Sequence, residues 1–99
     1  MIYAKPGQDG SVVSFNERYE NYIGGQWVAP VKGAYFDNHT PVTGEIICQI
    51  PRSSAEDIEL ALDAAHAAKD AWGKTSVTER SNILLKIADR IEANLEMLA

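Results

Sequence analysis

Apolar positions change their period midway along this chain. In the first half they fall in short runs punctuated by glycine and proline. "YENYIGGQWVAP", residues 19–30, sets two β-prone runs around Gly24-Gly25. Two adjacent residues free to take positive φ between "NYI" and "QWV" predict a β-hairpin. Pro30 ends the second run, because proline cannot donate to a ladder. "AYFDNHTPVTGEIICQIP", residues 34–51, predicts a second hairpin with strands over 34–38 and 45–50. There Pro41 presets φ for the turn and Gly44 relieves its exit. Ahead of both lies "KPGQDGSVVSF", rich in loop punctuation, so residues 1–18 are expected to form an irregular arm.

From residue 53 onward the period becomes helical. Ser53 stands three residues before Glu56, and Ser76 three before Glu79, which reads as two capping boxes. Asp57 adds negative charge in the first turn, where the helix dipole favours it. The first helix is predicted over about 54–72. Ile58, Ala61, Leu62, Ala65, Ala68 and Trp72 make one apolar face, and Leu60, Ala64, Ala67 and Ala71 a second, smoother one. Gly73 is expected to stop it. The second helix begins after Ser76, with Val77, Leu84, Ile87, Ala88, Ile91, Leu95 and Leu98 on one stripe, and shows no stop signal before residue 99. Burying one Leu or Ile contributes about 1.5–3 kcal/mol, so these faces need cover that two short hairpins do not supply. Either a longer chain or partner copies would provide it.

Composition narrows the function classes. The 99 residues carry 14 acidic and 9 basic side chains, for a net charge of -5. The basic residues are scattered, and no basic face suits a nucleic acid or an anionic membrane. No apolar run approaches the ~20 residues of a spanning helix. The first ten residues lack a basic stretch followed by an apolar one, so no secretory signal is expected. A single cysteine, Cys48, allows no internal disulfide, and a soluble cytoplasmic protein is the expectation.

Candidate chemistry is thin. A working thiolate needs a cation, a helix N-terminus or a histidine beside it. Cys48 sits inside "IICQI" and reads as a small core residue. His39 and His66 are the only imidazoles. His66 with Asp63 and Asp70 has helical spacing but reads as a solvated face. His39 beside a turn reads as packing or surface. Gly24-Gly25 leads into a strand, not a helix, so it is no phosphate loop. Trp27, Trp72, Tyr22, Tyr35 and Phe36 read as core. No catalytic, cofactor-binding or metal-ligating residue is assigned.

Ordered blocks of this sequence resemble a known family. "NYIGGQWVAP", "TPVTGEIICQIPRSSAEDIELALDAAHAAKDAW" and "TERSNILLKIADRIEANLEMLA" look like the N-terminal stretch of the NAD-dependent aldehyde dehydrogenase superfamily. Its features fall at Asn21–Val28, Pro41–Glu45, Glu56–Trp72 and Arg80–Glu92. Thr40 departs from the Asn often found before the proline, which leaves the turn intact. The opening "MIYAKPGQDGSVVSFNERY" looks like the bacterial acetaldehyde dehydrogenase branch.

The resemblance implies an α/β fold in which residues 19–99 are an incomplete N-terminal part of the NAD-binding domain. It implies that the intact parent oxidises an aldehyde to a carboxylic acid with NAD or NADP. A cysteine thiolate would add to the carbonyl, hydride would pass to the nicotinamide, and water would release the acid. The family's catalytic cysteine and glutamate come much later, and Cys48 does not match that cysteine's motif. This chain alone is therefore expected to be an inactive scaffold, with no cofactor of its own. Some members hold a monovalent cation through backbone carbonyls, which would fall near Asn38 and His39. A carbonyl leaves no side-chain signature, so no metal site is assigned. A homo-oligomer is expected, and the alternative is a free-standing, self-assembling helix-hairpin module.

Overall fold

A computed structural model describes residues 4–99. These divide into two compact units, Phe15–Lys69 and a second made of residues 4–14 with Asp70–Ala99.

The first unit holds both hairpins. β1 (Asn21–Ile23) pairs antiparallel with β2 (Gln26–Val28), in the register Asn21↔Val28 and Ile23↔Gln26. Gly24 and Gly25 close it at φ +61° and +81°, the pair of left-handed residues a two-residue turn demands. β3 (Tyr35–His39) pairs with β4 (Ile46–Pro51), one residue later than the sequence pattern places each strand. Asn38 faces Cys48 but His39 faces Ile46, so the register slips past Ile47. That irregularity adjoins a turn in which the Gly44 N–H donates to Thr40 O at 2.8 Å and the Thr40 N–H to Glu45 O at 2.9 Å.

The free edge of β4 is also used. The Tyr19 N–H donates to Gln49 O at 2.9 Å, and the Gln49 N–H to Glu17 O at 2.8 Å. Arg18 thus makes a parallel bridge to Gln49. Of the arm expected over 1–18, residues 1–3 lie outside the described residues. Its last residues join the sheet edge through these two bonds.

α1 (Ala55–Gly73) and α2 (Val77–Ala93) are the two long helices. The capping box predicted at Ser53 and Glu56 does not form; one residue on, only its carboxylate half is made, the Ser54 N–H donating to Asp57 Oδ2 at 2.8 Å while the Asp57 N–H goes to the Ser54 carbonyl at 3.1 Å. Ser53 is occupied elsewhere: its Oγ lies 2.9 Å from Asn21 Nδ2 and 3.1 Å from Asn21 Oδ1. The box at Ser76 forms as predicted. Its Oγ accepts the Glu79 N–H at 3.1 Å, and Glu79 Oε2 lies 3.4 Å from the Ser76 nitrogen.

Gly73 does not act as a left-handed stop; it is the last residue of α1 and has no positive φ. The end is tied off from outside, in the second unit. One Arg80 Nη donates to Trp72 O at 2.9 Å and to Gly73 O at 3.2 Å, and Thr75 Oγ1 donates to Ala71 O at 3.1 Å. Nor does α2 run on to residue 99. Asn94 (φ −118°, ψ 25°) breaks it and α3 (Leu95–Leu98) follows. Asn94 Nδ2 donates to Arg90 O at 2.8 Å. A short amide side chain competes in this way with the next helical amide for a carbonyl.

Among the described residues only Pro30, Cys48 and Asp57 are buried, and all three lie in the first unit. The helical stripes are largely uncovered: Ile58 is 57% exposed and Leu84 67%. The aromatic residues read as core are also not core. Tyr22 and Trp27 meet across β1 and β2 with their rings tilted by 56° and centroids 5.0 Å apart, yet remain 64% and 66% exposed. Trp72 and Phe36 are exposed too. A two-stranded hairpin has nothing on its outer face, so a cross-strand ring pair there is covered only by itself.

Candidate functional site

The densest polar constellation is in the first unit, and Asp57 is its centre. It is 3% exposed. Its Oδ2 accepts the Ser54 N–H at 2.8 Å and the Ser54 hydroxyl at 3.2 Å, and its Oδ1 accepts the Val31 N–H at 2.9 Å. The Ser54 and Val31 amides hold this carboxyl below the ordinary aspartate range, against the opposing pull of burial, and Lys32 adds a smaller push the same way. One side chain thereby fixes the start of α1 and the segment leaving β2. From the sequence, Asp57 offers only a negative charge in the first helical turn. The signal was present, because Asp57 stands three residues after Ser54 as Glu56 does after Ser53.

A second cluster sits on the β3–β4 sheet. The Tyr35 hydroxyl donates to Glu20 Oε2 at 2.5 Å. The Glu20 carboxylate raises the phenol above its usual range, partly opposed by Arg18, whose guanidinium lies 4.0 Å over the Tyr35 ring. Arg18 also donates twice to Gln49 Oε1, at 3.1 and 2.9 Å. Gln49 Nε2 reaches Asp37 Oδ1 at 3.1 Å. These groups link residues 18–20 to both strands and are built to hold them together.

The sequence-derived candidates are not brought together. Cys48 is 6% exposed, as its reading as a core residue requires, and Asn38 Nδ2 lies 4.0 Å from its sulfur. An amide cannot take the thiol proton. His39 places Nδ1 3.0 Å from Gly44 O and pins the turn. His66, Asp63 and Asp70 are exposed on α1, and among the described residues no three His, Cys, Asp or Glu side chains gather at metal-binding distance. No helix of the described chain is long and apolar enough to cross a membrane.

A dinucleotide pyrophosphate is held by a glycine-rich turn that opens into a helix N-terminus. Gly24-Gly25 opens into β2. At the start of α1 the amide of the cap residue already meets Asp57, and at α2 the Ser76–Glu79 box fills the same place. Among the described residues, neither long helix is entered from a glycine-rich turn of that kind.

Comparison with known proteins gives one answer. The profile of the aldehyde dehydrogenase family matches residues 27–99. An aldehyde dehydrogenase of Deinococcus radiodurans is 72% identical over 97 residues, 98% of this chain and 19% of that protein. An acetaldehyde dehydrogenase of Pseudomonas aeruginosa is 71% identical over 99 residues, all of this chain and 20% of that protein. A long-chain-aldehyde dehydrogenase of Acinetobacter sp is 70% identical over the same span and share. The chain thus spans about a fifth of the length of the curated relatives it matches. Among solved structures, the NAD-dependent aldehyde dehydrogenase of Sinorhizobium meliloti superposes with a TM-score of 0.72 at 32% identity, over 92% of this chain and 19% of that one. Two antiparallel hairpins followed by helices, carried on a sequence this close to those relatives, leave one assignment: the chain belongs to the aldehyde dehydrogenase family.

Proposed function

We propose that this chain is the N-terminal part of an enzyme that oxidises an aldehyde to the carboxylic acid with NAD or NADP. Residues 19–99 belong to the cofactor-binding domain of that enzyme, and residues 1–18 are an arm ahead of it. The observation that carries the proposal is identity of 70% and above to three aldehyde dehydrogenases, over a chain that spans about a fifth of each.

Within that enzyme the role of these residues is architectural. Cys48 is walled in and lacks a base, and the Asp57 and Tyr35 clusters spend their polar atoms on backbone and neighbouring side chains. Reaction steps through the nicotinamide belong to residues outside this chain, and the 99 residues alone are inactive. The enzyme is cytoplasmic and homo-oligomeric. Its substrate chain length is set elsewhere, since this stretch is 71% identical to an acetaldehyde enzyme and 70% identical to a long-chain one. A second reading has one observation in its favour. The exposed stripes on α1 and α2 suit a chain that assembles with copies of itself.

The test reads the source gene past the codon for Ala99 and assays the whole product beside the 99-residue chain. Formation of reduced nicotinamide that depends on added aldehyde, by the whole product alone, is the expected result. No turnover of any aldehyde by the whole product would sink the enzymatic reading. Turnover by the 99-residue chain would sink the scaffold role.

A further inference from the structure

The β3–β4 sheet has one closed edge and one open edge, and its hydrogen bonds fix which backbone groups face the opening. Opposed residues of an antiparallel pair alternate between those that exchange hydrogen bonds and those that do not. Gln49 donates its N–H to Glu17 O and accepts the Tyr19 N–H, both on the side away from β3. Its partner Asp37 therefore turns its own N–H and carbonyl away from β4. The Arg52 N–H donates to Ala34 O at 2.8 Å and the Thr40 N–H to Glu45 O at 2.9 Å, so Ala34 and Thr40 face β4. The alternation runs unbroken along β3, because the extra residue at the register slip is Ile47 of β4. Tyr35, Asp37 and His39 thus present their N–H and C=O groups to the open edge, and among the described residues no turn or loop backbone bonds to them.

We infer that this edge is a strand-docking site whose occupant is an extended segment of the same polypeptide beyond residue 99, which rests on the reading of this chain as the start of a longer enzyme. Edge strands that stay exposed are blunted by lysine, by proline or by a bulge of their own. "YFDNH" has neither lysine nor proline, and the bulge residue belongs to β4. Its one carboxylate, Asp37, is drawn across the sheet to Gln49 Nε2 at 3.1 Å and does not guard the edge.

A second copy is the weaker occupant. Paired with itself about a two-fold axis, in the register that uses all three outward residues, β3 sets Asp37 directly against Asp37. Like charges so placed destabilise a strand pair. A tethered segment escapes that symmetry, and its tether keeps it at high effective concentration. Chain is available to supply it, since these residues span about a fifth of the relatives' length. The two faces of the sheet define its side chains. Arg18, Gln49 and Asp37 are linked on one face, with Arg18 over the Tyr35 ring. Phe36, Cys48 and Ile50 share the other by alternation. The added strand is expected to carry polar residues on the Asp37 face and apolar ones beside Phe36.

The test uses the whole gene product. Residue-resolved hydrogen exchange is read at Tyr35, Asp37 and His39, whose amides point outward, and at Phe36 and Asn38, whose amides face β4. A crystal structure of the same product identifies the neighbour of β3. The expected result is outward amides that exchange about tenfold or more slower than in an unstructured chain, beside a strand from later in the same polypeptide. Outward amides that exchange freely while Phe36 and Asn38 stay protected would overturn the inference. So would a strand supplied by another protomer. Aldehyde-dependent reduction of nicotinamide, measured on the same sample, separates this inference from the enzymatic reading. Turnover with an open β3 edge rejects the docking site alone, a docked strand without turnover rejects the enzyme alone, and a reading frame that stops at Ala99 removes both.

Discussion

Replacing Ser76 by alanine isolates one helix cap. Ser76 holds the extended geometry of a cap (φ −65°, ψ 156°), and its Oγ accepts the Glu79 N–H at 3.1 Å. The return bond from the Ser76 N–H to Glu79 Oε2 is 3.4 Å, long for an N–H···O bond. Most of the energy therefore resides in the hydroxyl–amide bond. Loss of such a cap to alanine costs about 1 kcal/mol, and to glycine only a few tenths. The first amount is about a fivefold change in the local opening equilibrium. Amide hydrogen exchange at Glu79 reads that equilibrium directly, without requiring the whole chain to unfold in one step. The expected order of exchange is wild type slowest, Ser76→Gly slightly faster, and Ser76→Ala faster by about fivefold. Glu79→Gln keeps an acceptor but removes a charge from the helix start, which should cost about 0.3–1 kcal/mol and be lost in high salt. If Ser76→Ala left the Glu79 amide exchanging at the wild-type rate, the cap would not be holding α2.

The remaining predictions concern the first unit. Asp57 has its carboxyl lowered by the Ser54 and Val31 amides, so its stabilisation is present above the unfolded carboxyl range and is lost as pH falls through the lower, folded value. An NMR titration should show Asp57 titrating below ordinary aspartates, and Asp57→Asn should weaken the acid limb of the stability profile; titration at or above the ordinary range would refute the clasp. Gly25→Ala should cost about 1–2 kcal/mol purely through backbone strain, since Gly25 sits at φ +81° and a Cβ there meets nothing within 4 Å. Chemical shifts of β1 and β2 would report it, and an unchanged hairpin would count against the turn assignment. Cys48, at 6% exposure, should react with a thiol reagent only as fast as the hairpin opens, and full labelling on mixing would contradict its burial.

Much of the local structure was legible in the residues because it depends on neighbours in sequence. Gly24-Gly25 admits a tight hairpin whatever lies around it, and Ser76 with Glu79 caps α2 using atoms three residues apart. Misreadings occurred where distant atoms chose between similar local options. Ser53-Glu56 and Ser54-Asp57 are equivalent on paper. The choice follows from Asn21 engaging Ser53 and the Val31 amide selecting Asp57. The end of α1 behaves likewise, since the side chain closing it, Arg80, belongs to the next helix. The aromatic residues were misplaced because spacing shows that a ring lies on a strand face, but not whether anything covers that face.

By itself, then, the sequence determined the order of the two hairpins and the two long helices, the turn at Gly24-Gly25, the cap at Ser76 and, through its ordered blocks, the family. Those properties rest on backbone dihedral preferences, local hydrogen bonds and residue pattern, all available within a few positions. Tertiary structure alone decided the register of the first cap, the pairing of residues 17–19 with β4, and the burial of Asp57. Each depends on which donors and acceptors meet across tens of residues. Periodicity can mark a residue as ready for such a meeting, but only the folded chain brings its partner within hydrogen-bonding distance.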